Sequence, residues 1–294
     1  MSNPFDLRDT DSYQRWREKK LSSVPHSVNN LIVEVRDPRF LTSDEQAAMA
    51  ERIRCCNMAI YASHVNLADT EIPRLLGRQF GLEHLDANWL AGEDGISEIR
   101  VFENGTRPHY IPYTNQPIKW HTDGYYNPPE RTIRGMVLHC VRNASSGGEN
   151  KLMDHEMAYL LLRDEDPQHI AALMQHDVMT IPERVDETDG VRTEQGGPVF
   201  SLDSNGNLHM RYTARTRSIK WKQDAATLAA VAALEHLLAT ASSHIYKTCL
   251  EPGMGLLCNN VLHDRSAFID EPEHLPRLLY RARYLNRINC PNAA

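Results

Sequence analysis

The chain of 294 residues sets 32 Lys and Arg against 39 Asp and Glu, a net charge of −7. Its length allows a substantial core, and the acidic balance argues against a nucleic-acid partner, because phosphate backbones are bound by clustered Lys and Arg. No apolar run is long enough to span a bilayer, no apolar signal core opens the chain, and the six cysteines lack Cys-x-x-Cys spacing, so a cytoplasmic protein with free thiols is expected.

Residues 1–30 are polar, with Tyr13 and Trp16 as the main large anchors, and read as an arm or surface helix. A short strand is expected at 31–35. Thr42 and Ser43, followed by Glu45 and Gln46, make a capping signal for a helix running to about Tyr61. A second helix over 71–80 carries Ile72, Leu75 and Leu76 on one side and stops at Gly81. Strand character begins at 96–102, followed by a loop rich in Tyr, His and Pro up to Lys119. The apolar run 133–141 predicts a strand covered on both faces. Gly147-Gly148 turns the chain into a strand at 150–154, and helices follow to about Arg163 and over 167–174. The charged stretch 182–198 is expected to be a long loop that closes over substrate as a lid. Beyond it, 199–202 and 208–212 flank Asp203-Ser204-Asn205-Gly206-Asn207, a hairpin signal. The helix opening at Asp224 presents Leu228, Val231, Leu234, Leu237 and Leu238, a core stripe. Strands are expected again at 244–250, 255–258 and 278–286.

The chemistry concentrates in Lys119-Trp120-His121-Thr122-Asp123-Gly124-Tyr125-Tyr126. An imidazole and a carboxylate two residues apart point to the same side of an extended strand. The best third donor is His263, within Cys258-Asn259-Asn260-Val261-Leu262-His263-Asp264-Arg265. Two histidines and one carboxylate on one side of a metal suit non-haem Fe(II), which keeps its other positions open for co-substrate and oxygen. Near the C-terminus Arg277, Arg281 and Arg283 share odd numbering and so one strand face. Such a face meets solvent or an anionic ligand, because unpaired charge is costly inside a sheet core.

Four pieces in order, Trp120-His121-Thr122-Asp123, Gly147-Gly148-Glu149-Asn150 with Leu152, Asn260-Val261-Leu262-His263, and Leu275-Pro276-Arg277 with Arg281, resemble the TauD/TfdA-like family of Fe(II)- and 2-oxoglutarate-dependent dioxygenases, with its γ-butyrobetaine hydroxylase and clavaminate synthase relatives. The resemblance implies an α+β fold, a double-stranded β-helix (jelly-roll) core with flanking and inserted helices. One domain over 1–294 is implied, with an N-terminal arm (1–30), a helical part (31–95) and the jelly roll (96–294). It implies that His121, Asp123 and His263 hold iron and that Arg277 pairs with the distal carboxylate of 2-oxoglutarate. Arg281 would contact co-substrate or substrate. Lys151 stands where many members have Thr or Ser beside the co-substrate, and either adds a cation there or turns outward. The activity implied is hydroxylation of an unactivated C–H bond of a small polar metabolite, using O2 and releasing succinate and CO2. The presence of Asp123 disfavours halogenation. Substrate candidates are His109, Tyr110, Tyr113, Tyr125, Tyr126, Arg211 and Arg215. A zinc hydrolase using the same three ligands, and a non-enzymatic jelly-roll binding module, stay open as alternatives, as does homo-oligomerisation.

Overall fold

The structure, a computed structural model, describes residues 3–86, 92, 94–104, 107, 110–186, 190–240 and 243–290. Successive side chains point to opposite faces of a strand, and nearly continuous apolar runs along the longer strands build two facing sheets. The larger sheet runs in the order Ile32–Glu34, Met58–Ala62, Gly255–Cys258, Gly135–Arg142, Leu278–Tyr284, Ser97–Ile99; the smaller runs Tyr246–Thr248, Asn150–Met153, Leu262–Arg265, Ile118–His121. All these pairings are antiparallel except the first. Met136, Cys140, Leu256, Cys258 and Leu279 of the larger sheet pack against Leu152 and Tyr246 of the smaller one. The alternate residues Val137, Val141, Leu257, Leu278 and Tyr280 face helices Ser43–Cys56 and Glu71–Gln79 on the outside. This is the α+β jelly roll that the sequence implied.

Two expectations need correction, and one open alternative is decided. The helix expected to reach Tyr61 does open on a Thr42–Glu45 capping box, but it ends at Cys56 with Asn57 in a left-handed cap (φ 60°). The apolar residues Met58–Ala62 instead form a strand paired on both sides; Met58-Ala59-Ile60-Tyr61 suits either structure locally, and sheet pairing decides. Of the two readings of the N-terminal stretch, arm or surface helix, the described residues form the helix. Helix Thr10–Ser23 docks through Tyr13, whose hydroxyl donates to Asp164 at 2.7 Å, and through a buried Lys20 paired with Asp154 and Glu156 at 2.6 Å each. The stretch 182–198 is not structureless: it holds the hairpin Arg184–Asp186/Gly190–Arg192 and the strand Gln195–Gly197, which pairs with Met179–Ile181.

The remaining elements follow the expectations closely. The hairpin Phe200–Leu202/Leu208–Met210 forms, and helix Ala225–Ala239 buries Val231, Leu234 and Leu238 while leaving Leu228 exposed. All six cysteines are free. Among the described residues no helix is long and apolar enough to cross a membrane.

Candidate metal centre and co-substrate site

His121 ends strand Ile118–His121 and lies directly across from His263 on the antiparallel strand Leu262–Arg265, with ring centroids 4.2 Å apart. Asp123 lies beyond the strand end, so a turn, not strand alternation, brings its carboxylate in. Gly124 makes that turn at φ 67°, and a Cβ there would sit 2.4 Å from Ile133 Cγ1, so only glycine fits. Asn260, itself at φ 51°, clamps the turn: its Oδ1 accepts from the Asp123 N–H at 2.7 Å, and its Nδ2 donates to the carbonyls of Asp123 (2.9 Å) and Ile133 (2.7 Å). Asp123 Oδ1 then lies 3.6 Å from His121 Nε2 and 4.0 Å from His263 Nε2, and the three donor atoms fall within 4.8 Å of one another, all on buried residues.

The protonation pattern suits a metal. Each imidazole meets a backbone carbonyl through Nδ1, His121 that of Lys119 (3.0 Å) and His263 that of Val261 (2.9 Å). A carbonyl only accepts, so Nδ1 carries the proton and Nε2 keeps its lone pair facing Asp123. Burial, then the neighbouring His121, lowers the His263 pKa to about 4, which leaves the ring neutral near pH 7. Burial alone would raise the Asp123 pKa, but the cations Arg281 and Arg283 hold it well below the usual range. Two neutral nitrogens and one carboxylate match the donor set of a non-haem iron site.

The odd-numbered face of strand Leu278–Tyr284 points into the same interior: Leu279, Arg281 and Arg283 oppose Cys140, Leu138 and Met136. Arg281 Nη1 reaches both oxygens of Asp123, at 3.3 and 3.1 Å. Arg283 binds structural groups through its terminal nitrogens, donating to Tyr126 Oη (3.0 Å) and Asp86 Oδ2 (2.6 Å), while Arg131 holds the other Asp86 oxygen. Arg277, just before the strand, is buried with its guanidinium 5.0 Å from the Phe268 ring centroid and Nη1 without a hydrogen-bond partner. No described carboxylate forms an ion pair with it. Burial lowers its pKa, so the protein holds this cation at a cost that an arriving carboxylate would relieve. That orphaned donor fits the distal carboxylate of 2-oxoglutarate.

The other sequence candidates divide. Lys151 does not join the cluster. Its neighbour Leu152 points inward opposite His263, so Lys151 projects from the outer face, its ammonium 3.6 Å from Asp264 Oδ2. Arg211 is not available either: its donors go to the carbonyls of Tyr125 (2.7 Å), Met179 (3.3 Å) and Gln195 (2.7 Å), which makes it a buckle between loops. It lines a cavity of about 250 Å³ that flanks Asp123 without reaching either histidine. Tyr113 is buried between the sheets, and its hydroxyl has no partner. Tyr126 packs edge-on to Tyr125 at 5.2 Å. Arg184 lies 4.8 Å from the Tyr110 ring centroid and Arg192 lies 5.2 Å from that of Tyr126. Arg215 is half-buried, and His109 lies outside the described residues. Sequence reading missed Asn260 as the clamp, although an Asn beside a metal-bearing strand is a common left-handed residue. It also missed Arg192.

A family model described as taurine catabolism dioxygenase TauD, TfdA family matches residues 36–283. A uridine-5′-phosphate dioxygenase of Amycolatopsis sp is 31% identical over 192 residues, covering 63% of this chain and 67% of that protein. Among solved structures, the non-haem iron oxygenase OrfP in complex with Fe and alpha-ketoglutaric acid superposes with a TM-score of 0.59 at 17% identity, over 91% of this chain and 90% of that one. An asparagine oxygenase in complex with Fe(II), hydroxyasparagine and succinate gives 0.57 at 13% identity, over 92% and 91%. The chain belongs to the TauD/TfdA dioxygenase family and is an Fe- and 2-oxoglutarate-dependent oxidoreductase.

Proposed function

We propose that His121, Asp123 and His263 hold Fe(II), that Arg277 fixes the distal carboxylate of 2-oxoglutarate, and that the enzyme hydroxylates a phosphorylated small metabolite, a nucleoside 5′-monophosphate. The observation carrying this reading is the combination of three convergent metal donors with a separate buried guanidinium whose Nη1 lacks a partner. The substrate class is supported by the relative that is a uridine-5′-phosphate dioxygenase.

When bound, iron, 2-oxoglutarate and oxygen supply an oxidant able to attack an unactivated C–H bond, with succinate and CO2 as co-products. The protein's share is positioning and exclusion. The Lys119 and Val261 carbonyls fix the two imidazole tautomers, and Asn260 fixes the turn that carries Asp123. Arg281 keeps Asp123 ionised and orients its oxygens. Tyr113, rather than Lys151, supplies the second polar contact in the interior, because its hydroxyl is buried there and unpaired.

The test is anaerobic loading with Fe(II), 2-oxoglutarate and uridine 5′-monophosphate, followed by oxygen and measurement of succinate and oxidised nucleotide. Nucleotide-dependent succinate release is expected. Succinate release indifferent to every nucleotide would refute the substrate assignment, and oxygen-independent hydrolysis with zinc would restore the hydrolase reading.

A further inference from the structure

The hairpin Arg184–Asp186/Gly190–Arg192 sets Arg184 directly opposite Arg192. Like charges facing each other across a strand pair destabilise it. Both guanidiniums lie over tyrosines: Arg184 over Tyr110 (4.8 Å) and Arg192 over Tyr126 (5.2 Å). Tyr126 lies on the turn that begins at the candidate ligand Asp123, and its hydroxyl is fixed by Arg283 at 3.0 Å. Arg192 is therefore one stacked ring from the metal-bearing turn. Its Nε is buried without a partner, and its Nη2 reaches only the Pro182 carbonyl, at 3.5 Å. Burial lowers its pKa; Tyr125 and Tyr126 oppose that effect, and the charges of Arg184 and Arg215 add to it.

We infer that Arg192, with Arg184, forms the site that binds the phosphate of the substrate, with Tyr126 as the platform that aims Arg192. The inference rests on the reading that the substrate is phosphorylated. A phosphate dianion offers three strong acceptor oxygens and so can engage several guanidinium forks at once. It would neutralise the repulsion between the opposed arginines. Selection would then act on the charged end of the substrate, leaving the remainder of the molecule free to lie toward Asp123.

Calorimetric titration of the anaerobic protein loaded with Fe(II) and 2-oxoglutarate tests this without turnover. Uridine 5′-monophosphate is the probe and uridine its neutral twin. The nucleotide is expected to bind more tightly than uridine. Arg192→Gln and Arg184→Gln should each weaken nucleotide binding by about one to two orders of magnitude, leave uridine binding unaltered and reduce the salt sensitivity of binding. Lys247→Gln, which removes the same charge from an exposed position, is the control, and circular dichroism checks folding of every variant. If ribose 5-phosphate binds in an Arg192-dependent way while the uridine nucleotide does not bind, the phosphate site stands and the nucleoside assignment fails. If phosphomonoesters bind the wild type and both variants alike, if none binds at all, or if uridine binding falls as far as nucleotide binding, the inference is overturned, even where the nucleotide is turned over.

Discussion

Replacing Arg277 tests the co-substrate site most sharply, because the structure predicts opposite effects on the apoprotein and on the complex. In the apoprotein the guanidinium is buried with Nη1 unpaired, so the cation is a net cost. Arg277→Met fills similar volume without that cost and should melt no lower than the wild type. A carboxylate gripped by the guanidinium fork gains two parallel charge-assisted hydrogen bonds. Arg277→Lys keeps the charge and loses the fork, at about 1.5–3 kcal/mol, which weakens 2-oxoglutarate by about 10- to 100-fold. Thermal melting under anaerobic Fe(II) reads both effects. With 2-oxoglutarate at about 100 times its wild-type Kd, binding stabilises by about 2.7 kcal/mol, a rise of roughly 5–10 °C for a domain of this size. Arg277→Lys should retain about 1–5 °C of that rise, and Arg277→Met none of it. A full rise in Arg277→Met would refute the assignment, whatever its activity.

His263→Ala should fold yet fail to retain Fe(II) or release succinate, as measured by metal content after desalting, whereas His139→Gln should retain iron because His139 hydrogen-bonds to Tyr61. Lys151→Ala should leave the 2-oxoglutarate requirement unchanged, since the ammonium pairs with Asp264 on the outer face; a tenfold rise in KM would place it at the co-substrate after all. Asn260→Ala removes three buried hydrogen bonds from a residue at positive φ and should cost about 2–4 kcal/mol in denaturant unfolding, with iron retention falling alongside. Burial lowers the His139 pKa to about 4, below its unfolded value near 6.5. Between those values the unfolded chain takes up a proton that the native ring refuses, so stability falls as pH drops through that window. His139→Gln should therefore flatten the acid limb by up to about 1.4 kcal/mol per pH unit.

The long strands of the jelly roll were legible because Gly135–Arg142 and Leu278–Tyr284 are short, nearly continuous apolar runs buried along most of their length, and because one face of the latter carries arginines where apolar residues were expected. His121, Asp123 and His263 could be picked out by residue type and order, and the structure brings all three together. The physical reason assumed for the first pair was wrong: the strand ends at His121, and a glycine turn clamped by Asn260 delivers Asp123. Such a clamp joins residues far apart in the chain and leaves no periodic signal. The direction of Lys151, left open between inward and outward, and the role of Arg211 were not legible because a side chain's direction depends on register and partners. Lys151 alternates outward beside an inward Leu152, and Arg211 spends its donors on three backbone carbonyls. Arg192 escaped notice because the charged stretch around it looked like loop, and its hairpin is stabilised by pairing and not by any apolar pattern.

The buried arginines separate structure from function by what satisfies them. Arg163 donates to the Pro4 and Asp6 carbonyls, Arg265 to those of Pro112, Thr114 and Gln116, and Arg283 pairs with Asp86. Each staples one segment to another, and each would be expensive to truncate because a partner would be left behind. Arg277 and Arg192 differ in degree: Arg265 and Arg283 leave Nε unpaired but bind through their terminal nitrogens, whereas a terminal nitrogen of Arg277 is buried without a partner and Arg192 reaches the Pro182 carbonyl at 3.5 Å. In a chain with a net charge of −7, the overall field repels anions, so attraction for 2-oxoglutarate and for a phosphate has to be built locally from low-dielectric, uncompensated cations. Those cations destabilise the ligand-free fold and are stabilised when the anions arrive. The same placement that makes Arg277 and Arg192 costly for folding is what would make them selective for anions, and their neighbours Phe268 and Tyr126 supply aromatic faces that hold each guanidinium without neutralising it.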